Sequence, residues 1–169
     1  MPAITTTEGC AVQVDEKFYP EAKQYEWVVR ENRNGSKKYV ARWSKEKRAW
    51  LRMHREVWLF HHKRIADGIN IDHVNTDSFD NRIENLREAT YSQNNANRRV
   101  YATSETGLKG VGQRADGKYI ARICVDGKRK SLGVFNTPEE AAAAYDTAAV
   151  TYFGNFARIN GVQHEGGTT

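Results

Sequence analysis

The chain is poor in the residues that staple, span or export a protein. Its 169 residues hold two cysteines, Cys10 and Cys124, with no Cys-x-x-Cys pair. That excludes a disulfide framework and a four-cysteine zinc site. No apolar run approaches the roughly 18 residues of a membrane-crossing helix, which excludes a helical membrane-spanning protein. The first ten residues, MPAITTTEGC, lack both the basic and the apolar regions of a secretory leader, so an intracellular location is expected. Neither charge sign is scarce. The 26 basic and 21 acidic residues leave +5, a modest tilt toward a polyanionic partner that charge alone does not decide. The length suits one domain or two small ones.

What is present is unevenly placed. Between Asn97 and Lys130 stand nine basic residues, Arg98, Arg99, Lys109, Arg114, Lys118, Arg122, Lys128, Arg129 and Lys130. Only Glu105, Asp116 and Asp126 oppose them, so this stretch alone carries +6. A solvated basic face and a phosphate-facing surface both fit, since Lys and Arg displace the counterions condensed on a duplex.

Residues 9–60 carry strand-like runs, CAVQV, YEWVVRE and KYVARW, with an Asn-Gly hairpin signal at Asn34-Gly35 between the last two. MHREVWLFHH, from Met53, has the spacing of a short amphipathic helix. Residues 65–100 are Asn- and Asp-rich and end in a predicted helix with Ser92 as N-cap. Residues 101–107, YATSETG, read as a linker. Trp27, Trp43, Trp50 and Trp58 are expected to fill small cores.

The C-terminal pattern predicts three antiparallel strands packed on one helix. The strands are GVGQR (110–114), KYIARICV (118–125) and KRKSLGVF (128–135), the last two joined by Asp126-Gly127. Thr137, Pro138 and Glu140 then form a capping box with proline at the first helical position. Ala141, Tyr145, Ala148 and Tyr152 are expected on the helix face that meets the sheet. Alternation sends Tyr119, Ala121, Ile123 and Val125 to the helix and Lys118, Ile120, Arg122 and Cys124 away from it. Arg114 and Arg129 join the outer face. A three-stranded sheet with arginines on its open face can lie in a major groove, and a one-sided antiparallel sheet also has a solvated face of its own.

The runs GVGQR, GKYIARI and LGVFNTPEEAAAAYDTAAV, with Gly154, Ala157 and Asn160, resemble the plant Apetala/ethylene-response-factor DNA-binding domain over about 108–160. The resemblance implies a sheet that docks in the major groove and points to Lys109, Arg114, Arg122 and Arg129 as DNA contacts. Where the plant domains carry arginine, tryptophan, glutamate and tryptophan, this chain has Gly112, Asp116, Arg122 and Ser131. The docking mode is therefore expected to transfer and the plant target sequence is not.

The candidate reactive core lies in NIDHVNTDSFDNRIENLREATYSQNNANR, residues 70–98. A neutral histidine, His73, can take a proton from water near neutral pH. Asp72 and the Asn94 carbonyl offer hard oxygen ligands suited to Mg²⁺ or Mn²⁺. The Asn85 amide can tie the intervening loop together. Asn-rich stretches are also ordinary turns, and spacing alone leaves both readings open. His54, in MHREVW, is expected to be a packed or hydrogen-bonded core histidine.

IDHVNTDSFDNRIENLREATYSQNN resembles the HNH endonuclease motif in its phage and intron homing form, where asparagine replaces the final histidine. The likeness extends over roughly 10–98. It implies a strand–strand–helix nuclease domain centred on one divalent cation, with His73 as general base, Asp72 and Asn94 as metal ligands and Asn85 structural. Arg98 and Arg99 would hold phosphates nearby, or simply form a basic helix end.

The sequence thus predicts an α+β chain. An HNH nuclease domain over 1–100 is followed by a linker over 101–107, a groove-reading domain over 108–160 and a disordered tail over 161–169. The expected activity is site-specific cleavage of double-stranded DNA with Mg²⁺ or Mn²⁺, by a monomer or weak dimer, in a bacterial cytoplasm if phage-encoded. The alternative is a DNA-binding regulator that does not cut.

Overall fold

The structure, a computed structural model, describes residues 2–32, 35, 37–100 and 104–161. The expected tail beyond Gly161 and the first three residues of the expected linker lie outside them. The described chain is mixed α and β and divides into two compact units, residues 1–89 and 90–169. No helix among the described residues is long and apolar enough to cross a membrane.

The first unit opens with an antiparallel hairpin of β1 (Ala3–Thr5) and β2 (Ala11–Gln13), which turns Ile4 and Val12 inward. A single turn, α1 (Tyr19–Ala22), follows, and the Trp27 indole donates to the Ala22 carbonyl at 2.8 Å. That bond lets the ring be buried without an orphaned N–H. Next come β3 (Val28–Glu31), β4 (Lys38–Ser44) and β5 (Ala49–Arg52), an antiparallel meander in chain order. The β3–β4 turn is closed by Asn32, which exchanges hydrogen bonds with Lys37. β5 runs directly into α2 (Met53–His62), whose Met53 and Val57 are buried. The last hairpin pairs β6 (Asn70–His73) with β7 (Leu86–Ala89). One core, including Val12, Phe18, Trp27, Val40, Ile71 and Leu86, joins these elements. β1, β5 and β7 add to the strands read from the sequence.

Two tryptophans correct the sequence reading. Trp43 and Trp50 are 49% and 39% exposed instead of filling a core. They sit directly opposite each other on β4 and β5, one residue out of phase with the buried Val40, so their face points away from the core. The two rings pack edge to face at 5.5 Å, and the Arg30 guanidinium lies 4.2 Å from the Trp50 ring centre.

The second unit holds α3 (Tyr91–Asn97), the sheet β8 (Val111–Gln113), β9 (Tyr119–Val125) and β10 (Lys128–Phe135), and α4 (Pro138–Phe153). Strand order is β10-β9-β8, all antiparallel. Asp126 and Gly127 both have positive φ, 49° and 77°, the conformation a two-residue turn needs to match strand twist. The capping box at Thr137 forms as read: its hydroxyl accepts from the Glu140 N–H and the Glu140 carboxylate accepts from the Thr137 N–H, both at 3.2 Å. Gly110, at φ +77°, lies so close to Tyr145 that a Cβ there would clash with the ring.

Two details differ from the sequence reading. The N-cap of α3 is Thr90, not Ser92, because Thr90 and Gln93 have the reciprocal three-residue spacing of a capping box. The Ser92 hydroxyl instead accepts from the Asp126 N–H at 3.0 Å. On α4 the buried aromatic at the C-terminal end is Phe153, not Tyr152, which is 45% exposed. The inward row advances by four, through Tyr145, Ala149 and Phe153, and the Lys130 ammonium caps the Tyr152 hydroxyl outside it.

Candidate functional site

In the first unit, β6 and β7 place Asp72 opposite Arg87 and His73 opposite Leu86. Both acid and base are buried, Asp72 at 5% and His73 at 2% exposure. The Asp72 carboxylate accepts from Arg87 Nε and Nη2 at 3.2 Å each, so its charge is partly balanced inside the fold. His73 Nε2 lies 3.2 Å from the Asn81 side-chain oxygen. The His54 ring, from the first turn of α2, packs edge to face on His73 with centres 5.0 Å apart. Burial pushes both imidazoles below the ordinary histidine range, His54 far below; the Asn81 contact partly opposes the shift at His73. His54 is thus a packed histidine, as expected, and what it packs on is the candidate base.

The loop between β6 and β7 is built from polar side chains. Asn85 accepts from the Asn75 N–H at 3.1 Å and donates to the Asn75 side-chain oxygen at 3.0 Å and the Asp80 carbonyl at 2.8 Å. It ties the two ends of the loop together as read. Asp80 receives Arg82 Nε and Nη2, both at 2.8 Å, and the Asn75 amide at 3.0 Å. The Arg82 guanidinium holds the Asp80 carboxyl below the usual carboxylate range. Asn81, at 1% exposure, and Asp80 were not singled out from the sequence. The Asp-Asn-Arg run beside a candidate base was the available signal.

Among the described residues no three His, Cys, Asp or Glu side chains cluster as a metal cage. The donor set is instead one buried carboxylate, Asp72, which the unbroken β6–β7 register turns to the face of β6 opposite His73. Such a set fits a hard cation that keeps most of its waters and takes phosphate oxygens, and does not fit zinc. Asn94 lies on α3, in the second unit, half-buried.

In the second unit the register sets Arg122 opposite Ser131 and Arg129 opposite Cys124. Ala121 and Ile123 are buried while Arg122 and Cys124 are exposed, so the arginines share the open face with Gly112 and Arg114. Arg122 and Arg129 make no ion pair among the described residues; Arg114 is paired with Asp116 at 3.1 Å. Arg98 and Arg99 are exposed just past the end of α3. Lys109 is engaged within the fold: its ammonium donates to the Ala96 and Arg98 carbonyls and so caps α3.

Residues 52–96 match the HNH endonuclease family model. The matched stretch runs from α2 through the β6–β7 hairpin to α3 and includes Asp72, His73, Asn85 and Asn94. An uncharacterized HNH endonuclease of Acanthamoeba polyphaga mimivirus is 27% identical over 143 residues, 84% of this chain and 70% of the relative. The C-terminal region matches plant Apetala/ethylene-response-factor transcription factors. Dehydration-responsive element-binding protein 2A of Arabidopsis thaliana is 46% identical over 59 residues, 34% of this chain and 18% of that protein. An ethylene-responsive transcription factor of the same plant is 44% identical over 66 residues, 35% of this chain and 41% of that protein. The chain therefore spans less than half of each of these plant relatives. An HNH-like region and a transcription-factor-like region follow one another in one polypeptide.

Proposed function

We propose that the protein is a site-specific DNA endonuclease of the HNH homing type, with a catalytic region over 1–100, a linker over 101–107 and a groove-reading region over 108–160. The observation that carries this reading is the buried Asp72–His73 pair, held by a polar loop inside the segment that matches the HNH family. His73 takes a proton from water as the water oxygen bonds to phosphorus. The P–O3′ bond then breaks and the departing oxygen takes a proton from solvent water, leaving a 3′-hydroxyl and a 5′-phosphate. Asp72 and Asn94 would hold a divalent cation, which supplies Lewis-acid stabilisation of the phosphate and the departing oxygen. Mg²⁺ and Mn²⁺ suit these oxygen donors. Asn85 holds the loop, and Arg122, Arg129, Arg114, Arg98 and Arg99 contact DNA. Lys109 is left out of that set because its ammonium is bound to the end of α3.

Joining two small modules makes the second DNA contact intramolecular, which raises specificity beyond that of either module alone. One centre per chain makes a monomer a nicking enzyme. Plasmid or phage DNA incubated with Mg²⁺ or Mn²⁺ tests the reading. His73→Ala is expected to lose cleavage by at least about 1,000-fold, a loss of the size general-base removal produces, with gel-shift binding unchanged. Undiminished cutting by that variant overturns the mechanism.

A second reading, a DNA-binding regulator that does not cut, draws on the Arg87 guanidinium already bound to Asp72. It is favoured if no metal yields nicks while binding stays tight and salt-sensitive.

A further inference from the structure

We propose that Asn81 is the positioning residue that sets the tautomer and ring orientation of His73, a role that rests on the reading of His73 as the base. Asn81 is buried, and its side-chain oxygen lies 3.2 Å from His73 Nε2. An amide can be turned over, but here its other end decides. Asn81 Nδ2 donates to the Ser78 carbonyl at 3.0 Å, and the reversed amide would set oxygen against oxygen. The oxygen therefore faces the imidazole and can only accept. His73 Nε2 carries the hydrogen, and Nδ1 is the atom that carries the basic lone pair.

The backbone under Asn81 is fixed from outside the hairpin. The Asn81 N–H donates to the Gln13 carbonyl and the Gln13 N–H donates to the Phe79 carbonyl, each at 2.8 Å, with a parallel bridge between Gln13 and Asp80. The N-terminal hairpin thus props the loop on one side, and the Arg82 clamp on Asp80 holds it locally. The edge-to-face His54 ring adds a packing contact that restrains the tilt of the imidazole. Residues that orient a reacting group from behind typically contribute about 10–100-fold.

The test uses the 169-residue chain labelled with ¹⁵N-histidine, metal-free for spectroscopy and with Mg²⁺ for nicking kinetics. The His73 ring signals are assigned by their loss in His73→Gln. Wild type is expected to show the Nε2–H tautomer. Asn81→Leu, similar in volume but without an acceptor, is expected to move His73 toward Nδ1–H and to lower kcat about 10–100-fold at unchanged KM. Asn81→Asp keeps an acceptor and is expected to keep the tautomer and recover most of the rate. A shared tryptophan-fluorescence melting midpoint checks that the variants remain folded. An Nδ1–H tautomer in the wild type overturns the proposal without any variant. A lowered kcat in Asn81→Leu with an unmoved tautomer overturns the role of Asn81 and leaves His73 as the base. A moved tautomer with unchanged kcat overturns the proposal by removing His73 from the reaction.

Discussion

The two units of the chain place the polar residues of their candidate sites in opposite ways. In the first, Asp72, His73, Asp80, Asn81 and Asn85 are all buried; Asp72 accepts from Arg87 on the facing strand, and the other four bond to one another or to their loop. In the second, the core is mostly alanine with Ile123, Tyr145 and Phe153, and the arginines proposed to contact DNA sit outside on an open strand face. A proton-transfer site needs groups whose orientation and protonation are set before substrate arrives, and burial achieves that through desolvation and full hydrogen bonding. A phosphate-reading face needs charges that reach outward and stay charged. The same contrast sets what each site loses on mutation: in the polar loop a change can cost structure as well as chemistry, and on the open strand face it costs affinity.

The largest effect that sharpens this comparison is expected at Asn85. Asn85→Ala removes three hydrogen bonds and leaves the Asp80 carbonyl and the Asn75 N–H without their partner in a tight loop. A destabilisation of about 3 kcal/mol is expected, because buried groups left unpaired cost more than the net value of the bond. All four tryptophans lie in residues 1–89, so tryptophan fluorescence reports the first unit alone. Its thermal midpoint should fall by roughly 10 °C or more, while amide exchange in β9 stays as in the wild type. An equal loss in β9 would mean that the polar loop supports the whole chain, and the contrast between the units would fail.

The contrast also explains what could be read ahead of the structure. The faces of β9, the Asp126-Gly127 turn and the Thr137 cap follow from alternation and short fixed spacings, and each appears in the structure. The Asn85 tie was legible too, once the loop was recognised as a loop. The Asn81–His73 contact was not, because it joins residues eight apart through a loop whose path depends on Gln13, far off in sequence. The resemblance pointed to Lys109 as a DNA contact, and nothing local in the sequence says that its ammonium will bind the end of α3. Trp43 and Trp50 misled for a related reason: a large apolar ring on a strand reveals its face only after the register is known.

A middling effect is expected on the open face of the second unit. Arg122→Ala and Arg129→Ala should each weaken duplex binding about tenfold, and each lost phosphate contact should lower the salt slope by about 1. Arg114→Ala should do less, because its guanidinium is already paired with Asp116. Neither Arg122→Ala nor Arg129→Ala should move the melting midpoint, since exposed side chains away from caps and cores contribute little to stability. A gel shift across a salt series and a melt of the same samples check both halves. A destabilised variant with intact binding would reverse the assignment of this face.

The smallest effect concerns the cation that the second unit takes inside. Burial lowers the Lys109 ammonium to about 8, while an unfolded lysine titrates near 10.4. Between those values the unfolded chain holds a proton that the folded chain has released, so stability rises with pH across that window. Tyr145 acts in the opposite sense above it. Burial pushes its hydroxyl up to about 12, so from about pH 10 upward the unfolded chain releases a proton that the folded chain retains, and stability falls. Amide exchange in β9 should therefore slow, after correction for intrinsic rates, between pH 8 and 10. Lys109 is only partly buried, so solvent screening cuts the gain to the order of a few degrees of melting midpoint. Lys109→Met keeps the apolar stem, removes the titration and should flatten the rise while sparing the Tyr145 limb. A rise that persists in Lys109→Met would place its source in another group. The second unit would then hold no buried titrating cation, and the division between buried polar chemistry and exposed charge would be cleaner than the Lys109 contacts make it.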